Sequence, residues 1–253
     1  MRKMKTILIA GPCVIEHKDV MDTIAQYLVP ISKKGHFDVY FKASFDKANR
    51  TSYNSYRGPG IENGLRELSR IKETYGLKIV TDIHEVWQAN PVAEIADMIQ
   101  IPAFLCRQTD LIQSAAKTGR IVNIKKGQFV SGSDMRFAVE KARMAGAEKV
   151  FLTERGTFFG YNDLVVDFRN IDLMKDFADA VIMDCTHSTQ KPSANGSTSG
   201  GSPKYIPSMA LAAKAFGADG YFFEVHPQPK QALSDGTSVL ELNLLNKITN
   251  DIK

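Results

Sequence analysis

Eight short runs rich in β-branched and apolar residues, separated by helix-like segments from one end of the chain to the other, constrain the fold more than any other feature. They are Thr6 to Ala10, Val39 to Ala43, Lys78 to Asp82, Met98 to Ile101, Ile121 to Lys125, Val150 to Thr153, Ala180 to Asp184 and Tyr221 to Glu224. Such alternation is the pattern of repeated βα units around a parallel sheet. Among the intervening segments, Ser133 to Ala145 reads as a helix capped by Ser133, with Ala138, Ala142 and Ala145 at helical spacing and Gly146 as its stop. Ile61 to Tyr75, Val86 to Ala96, Thr109 to Thr118, Lys204 to Phe216 and Val239 to Ile252 read the same way. Eight strand–helix units in 253 residues predict an α/β fold of the (β/α)8 TIM-barrel type, one domain over residues 1–253. An open dinucleotide-binding sheet is disfavoured, because the first strand is not followed by a Gly-x-Gly-x-x-Gly turn.

The composition narrows the partners. Hydrophobic residues make up 43% and charged residues 24%, which is ordinary for a globular domain. Thirty-two Lys and Arg against 28 Asp and Glu give a net charge of +4, without the long cationic runs of a nucleic-acid arm. Small anionic ligands fit this balance better than a polyanion. Cys13, Cys106 and Cys185 are an odd, widely spaced set, and Met1-Arg2-Lys3-Met4-Lys5 precedes only a short apolar run. No signal peptide, no membrane span and a reducing, cytoplasmic setting are expected.

Barrel enzymes place their chemistry where strands end and βα loops begin. Here those ends read Gly11-Pro12-Cys13, Lys42-Ala43-Ser44, Thr81-Asp82-Ile83-His84-Glu85, Pro102-Ala103-Phe104, Lys125-Lys126-Gly127-Gln128, Thr153-Glu154-Arg155-Gly156, Asp184-Cys185-Thr186-His187-Ser188 and Glu224-Val225-His226-Pro227. Nearly every one brings a charged, metal-binding or hydrogen-bonding group to the same rim. The stretch from Phe41 to Ser52 is the densest, with Lys42, Lys47 and Arg50 among small polar residues, while Phe41, Ala43 and Phe45 alternate as if one face were buried. Lysine offers a point charge and arginine a planar fork, so this stretch reads as a site for phosphate and carboxylate groups. Lys125 and Arg155 join it from strand exits, whereas Lys72 and Lys141, on helix faces, read as solvated.

Cys13, His187, Glu224 and Asp235 fall at or after the ends of runs one, seven and eight, which become neighbours when a barrel closes. Two readings stand side by side: a site for Fe(II), Zn(II) or Mn(II), or a buried small thiol with a structural histidine. His84 and His226 are further acid–base candidates. Trp87, Phe158, Phe159 and Phe168 read as packing, and Cys106 and Cys185 as ordinary thiols. Residues 188–203 are too polar and glycine-rich to be regular and read as a mobile lid at the active face, and Gly156 to Asn162 as either a second such loop or a connector.

Several blocks carry a family resemblance: Ala10-Gly11-Pro12-Cys13, Phe41 to Ser52, Tyr56-Arg57-Gly58-Pro59-Gly60, Thr81 to Glu85, Ile99 to Asp110, Asn123 to Phe129 and Leu152 to Gly156. Over nearly its whole length the chain resembles the 3-deoxy-D-manno-octulosonate-8-phosphate synthases. Lys47-Ala48-Asn49-Arg50 separates it from the related 3-deoxy-arabino-heptulosonate-7-phosphate synthases. The resemblance implies a cytoplasmic, homotetrameric transferase of lipopolysaccharide precursor synthesis. It would condense phosphoenolpyruvate with D-arabinose 5-phosphate and water and release phosphate. Cys13 after Gly-Pro implies the metal-dependent class, with Cys13, His187, Glu224 and Asp235 holding a divalent ion such as Zn, Fe(II) or Mn.

The resemblance further implies that Lys42, Lys47, Lys125, Gln128 and Arg155 bind phosphoenolpyruvate, with Ser44 also among the substrate-binding residues. Asn49 and Arg50 would bind the pentose phosphate beside Pro102, Ala103 and Phe104, and Arg107 would reach a neighbouring subunit's sugar phosphate. Its implied catalytic set is Lys42, Lys47, Asn49, Asp82, Lys125, His187 and Asp235. One departure is that Ser199-Gly200-Gly201 runs into Ser202-Pro203-Lys204 where the family usually has arginine, so Lys204 would replace a fork with a point charge. Two alternatives remain at this level, a Schiff-base aldolase using Lys125 or Lys42 and a catalytically silent sugar-phosphate-binding barrel.

Overall fold

A computed structural model describes residues 5–50, 52–195 and 198–253. The charged start at residues 1–4, Thr51 in the basic stretch, and Gly196 and Ser197 in the expected lid lie outside the described residues. Eight parallel strands follow one another around the sheet: β1 (Thr6–Gly11), β2 (Phe37–Lys42), β3 (Lys78–Asp82), β4 (Met98–Ile101), β5 (Ile121–Lys125), β6 (Val150–Glu154), β7 (Ala180–Asp184) and β8 (Gly220–His226). Strand β1 pairs with β8 from Ile7↔Gly220 to Gly11↔Glu224, which closes the barrel. Helices α1 (Lys18–Lys33), α2 (Ile61–Tyr75), α3 (Ala89–Ile95), α4 (Thr109–Ala116), α5 (Met135–Met144), α6 (Arg169–Lys175) and α7 (Ile206–Ala215) alternate with the strands, and α8 (Leu245–Asp251) follows the last. The architecture is the expected (β/α)8 barrel.

Side-chain alternation along each strand explains where the site lies. Residues pointing outward, such as Leu8, Phe41, Ile79, Ile99, Val122 and Phe223, join the large core under the helices. Those pointing inward change character along the barrel axis. Ile7, Ile9, Tyr40, Val80, Met98, Phe151, Ala180, Ile182 and Phe222 fill the lower interior. One pleat higher stand Lys42, Asp82, Gln100, Lys125, Thr153, Asp184 and Glu224, all buried. Gly11 occupies the corresponding place on β1, where a Cβ would lie 1.9 Å from the Lys42 carbonyl oxygen. Only glycine lets β1 run this close beside β2.

Several local expectations give way. Helix α1 carries an apolar stripe of Met21, Ile24, Ala25, Leu28 and Ile31, but His17 offers no side-chain cap and Pro30 lies inside the helix, so neither end is signalled. Helix α6 is too short for a visible period. Ser133 does not cap α5; Ser131 Oγ instead accepts the Asp134 N–H at 3.1 Å before the first turn. The segment from Val239 begins as a two-residue strand, Leu240–Glu241, beside β8 before turning helical.

The expected irregular lid is a β-hairpin, Gln190–Asn195 against Thr198–Gly201, with Gln190 opposite Gly201 and Asn195 opposite Thr198. Thr157–Phe158 and Leu164–Val165 form a second small hairpin after β6. No helix among the described residues is long and apolar enough to cross a membrane.

Candidate active site

A cavity of about 1180 Å³ opens at the carboxyl ends of the strands. Lys42, Lys47, Asn49, Arg50, Asp82, Pro102, Ala103, Phe104, Lys125, Gln128, Arg155, His187 and Asp235 all line it, from loops spread over most of the chain. Ser44 is fully buried against two of them. Arg107 is exposed and does not line the cavity.

Three of the four expected metal ligands converge. Donor atoms of Cys13, Glu224 and Asp235 lie within 4.8 Å of one another. His187 stands beside this group, its Nε2 3.4 Å from Glu224 Oε2. Its other ring nitrogen, Nδ1, is held 2.7 Å from Asp184 Oδ2, the arrangement by which a carboxylate orients an imidazole toward a metal. Both Glu224 oxygens are buried without a hydrogen-bond partner, although Lys42 and Lys47 each stand 3.6 Å from Oε1. A buried carboxylate left in that condition fits a cation. The Cys13 thiol donates to Asp235 Oδ2 at 3.1 Å. Burial, and then the charges of Asp235 and Glu224, push its pKa well up. Asp235 has φ of 50°, the sole non-glycine residue with positive φ among those described; aspartate tolerates this conformation.

The cationic half of the site rests on a buried polar chain. Lys42 Nζ donates to Ser44 Oγ at 2.7 Å and to the Cys13 carbonyl at 3.2 Å. Ser44 Oγ in turn donates to Asp82 Oδ2 at 2.5 Å. The chain continues from Gln100 Nε2 to Asp82 Oδ1 at 2.5 Å, from Asn123 Nδ2 to Gln100 Oε1 at 3.1 Å, and from Thr153 Oγ1 to Asn123 Oδ1 at 2.8 Å. It thus crosses from β2 to β6. Burial opposes ionisation of Asp82, but the Lys42 and Lys47 ammonium groups outweigh it and hold the carboxyl well below the usual range. Burial lowers the pKa of Lys42. At Lys47 burial acts in the same sense, yet Cys13, Glu224, Asp82 and Asp235 together raise the pKa and keep the ammonium charged.

Lys125 pairs with Asp184 Oδ2 at 2.5 Å and sits 4.1 Å above the Phe222 ring. Arg155 Nη2 donates to Gln190 Oε1 at 3.1 Å, while Arg155 Nη1, Arg50 Nη2 and Gln128 Oε1 are buried without partners. Unpaired guanidinium nitrogens in a lysine-lined cavity are donors that an anionic ligand would complete.

Gln100, Asn123, Gln190 and Ser234 join the site without having been candidates on the sequence, and Asp184 was one only as part of a strand end. The usable signal was the inward register of polar residues at strand ends. Lys126, next to Lys125, points the other way: it is fully buried, 3.4 Å from Glu154, and donates to the carbonyls of Gly127, Val130 and Gly156. His84 lines the cavity, its pKa lowered by burial, whereas His226 lies outside it. Phe158 also lines the cavity and Trp87 is exposed, so neither is the packing residue expected, while Phe168 does stack on Phe216. Lys72 is not merely solvated but pairs with Asp97 at 2.9 Å and donates to the Ile95 carbonyl. Lys141 donates to the Arg107 carbonyl at 3.0 Å. Lys204 is absent from this cavity, its ammonium resting 4.9 Å over the Tyr205 ring.

The sequence profile of the DAHP synthetase I family matches residues 2–253. Among curated proteins, the chain is 55% identical to a 2-dehydro-3-deoxyphosphooctonate aldolase from Helicobacter hepaticus, over 94% of this chain and 92% of the relative. It is 52% identical to a protein of the same name from Campylobacter jejuni (98% of this chain, 95% of the relative). A third, from Nitratidesulfovibrio vulgaris, is also 52% identical (98% and 91%).

Proposed function

The chain belongs to the DAHP synthetase I family, and from that premise we propose that it is a 3-deoxy-D-manno-octulosonate-8-phosphate synthase of the metal-dependent class. It is an enzyme that condenses phosphoenolpyruvate with D-arabinose 5-phosphate and water, giving the eight-carbon sugar acid phosphate and inorganic phosphate. The observation that carries this reading is a cavity lined by five cations, Lys42, Lys47, Arg50, Lys125 and Arg155, and by Asp235, whose carboxylate lies with the buried Cys13 and Glu224 in one group of donors.

Lys42, Lys125, Gln128 and Arg155 would hold the carboxylate and phosphate of phosphoenolpyruvate, with Ser44 fixing the Lys42 ammonium. Asn49 and Arg50 would hold the pentose phosphate against Pro102, Ala103 and Phe104. Fixing both anions turns a bimolecular encounter into an oriented pair. Carbon 3 of phosphoenolpyruvate then attacks the sugar aldehyde while water adds at carbon 2, and the carbon–oxygen bond to phosphate breaks. Lys47, kept charged by the carboxylates around it, stabilises the charge growing on the aldehyde oxygen. Asp82 and Asp184 stay ionised and hold Lys42, Lys125 and His187 in place.

Cys13, His187, Glu224 and Asp235 would hold the divalent ion, which when bound supplies Lewis-acid polarisation of a substrate oxygen. Phe104, Phe129, Phe158 and Phe159 are 41–69% exposed on the loops after β4, β5 and β6. These exposed apolar side chains support a homotetramer in which a second subunit covers them. We assign the enzyme to the cytoplasm, and the paired strands Gln190–Asn195 and Thr198–Gly201, tied to Arg155 through Gln190, to the role of a lid.

Phosphate release from phosphoenolpyruvate tests the assignment when arabinose 5-phosphate is compared with erythrose 4-phosphate. The five-carbon sugar should support turnover and the four-carbon sugar little; the reverse preference would overturn it. The depressed pKa of Lys42 favours the Schiff-base alternative. Borohydride with substrate present should leave the protein mass unchanged, and a trapped adduct would favour that alternative.

A further inference from the structure

Asp235 is the one member of the metal group that no barrel strand supports. It sits on the loop after β8, and its carbonyl accepts the N–H groups of Ser238 and Val239 within a turn. Something must hold that loop against Cys13, which follows β1. Two buried side chains outside the cavity touch it.

Glu16 stands two residues after Val14, which forms a bridge with Ser44, and its neighbour Ile15 donates its N–H to the Ser44 carbonyl at 2.9 Å. Its backbone is therefore fixed to the extension of β2. From there Glu16 Oε1 accepts the Leu233 N–H at 3.1 Å, and Oε2 faces His226 Nε2 at 3.4 Å. Both side chains are at most 4% exposed. His226 Nδ1 accepts the Gln228 N–H at 2.9 Å, so in the neutral ring the proton is on Nε2, which has no hydrogen-bond partner and stands 3.4 Å from the Glu16 carboxylate. Glu16 and His226 thus grip the loop at Gln228 and at Leu233, immediately before Ser234, whose Oγ lies 2.8 Å from Cys13 Sγ.

We infer that Glu16 and His226 form a clasp between the first and last βα loops that sets Asp235 within reach of Cys13 and Glu224. They are positioning residues, since neither belongs to the cavity lining or to the Cys13–Glu224–Asp235 group. The clasp rests on the reading of Cys13, Glu224 and Asp235 as metal ligands.

Equilibrium dialysis with Mn²⁺ tests it on the full-length parent, Glu16→Ala, His226→Ala, the double variant and Glu16→Gln, with circular dichroism reporting folding. Each alanine variant should bind Mn²⁺ about 10–100-fold more weakly. The double variant should lose no more than the worse single, because the two residues act as a unit. Glu16→Gln keeps an acceptor for Leu233 but drops the charge facing His226, and should fall between parent and Glu16→Ala. If the alanine variants do not fold, this variant decides. Parity of a folded Glu16→Ala, or of Glu16→Gln, with the parent would overturn the clasp and leave the metal reading standing. A parent that binds no Mn²⁺ would overturn both.

Discussion

Asp184 illustrates what a single residue does here. It contacts both Lys125 and His187, at 2.5 and 2.7 Å, and its other oxygen accepts the backbone N–H groups of Thr186 and His187. Asp184→Asn keeps the volume and removes the charge that fixes the His187 tautomer. With metal and substrates saturating, kcat should fall about 10–100-fold while circular dichroism is unchanged. Gln100 has a structural counterpart of this role, bridging Asp82 and Asn123. Gln100→Leu strands two buried polar groups and should lower the unfolding free energy by about 1–3 kcal/mol for each, measured in urea. The charged site residues were legible because they end strand-like runs, as Lys42, Asp82, Lys125 and Glu224 do, or lie on the loops that follow them. Gln100, Asn123 and Thr153 were not, because a neutral polar residue inside a strand has no sequence mark until the register says which way it faces.

At the scale of elements, the strands were legible almost to the residue, since runs of buried β-branched residues bounded by polar ends have few other readings. Helices α1 and α6 were not, for want of caps and length. The loop after β5 was half legible: Lys125 was read as a ligand, but its neighbour Lys126 ties that loop to the hairpin after β6 through Glu154, Gly156 and Thr157. Lys126→Met would leave Glu154 as an uncompensated buried charge. A loss of about 3–5 kcal/mol is expected in chemical denaturation. KM for both substrates should stay unchanged in the folded fraction, because Lys126 does not line the cavity.

Across the whole molecule, closure of β1 on β8 is what assembles the site, bringing Cys13 and Glu224, from opposite ends of the chain, into register. The carboxylates gathered at the mouth give the fold a pH dependence of definite sign. Burial favours the neutral form of Glu224, but His187, Lys47 and Lys42 outweigh it and bring the pKa from an ordinary 4.5 down to about 2. Asp82 and Asp184 shift in the same direction. Their contribution is therefore full above pH 4.5 and lost as pH falls toward 2, so urea midpoints should hold from neutrality to pH 5 and drop steeply below 4.5. A midpoint insensitive to pH in that window would mean the carboxylates are not paired as described. The proposed condensation takes place at this mouth with a divalent ion held by Cys13 and its neighbours. The most direct measurement is phosphate release from phosphoenolpyruvate and arabinose 5-phosphate, before and after EDTA and again with metal restored. Activity should vanish on chelation and return with the metal; release that is indifferent to EDTA would contradict the claim.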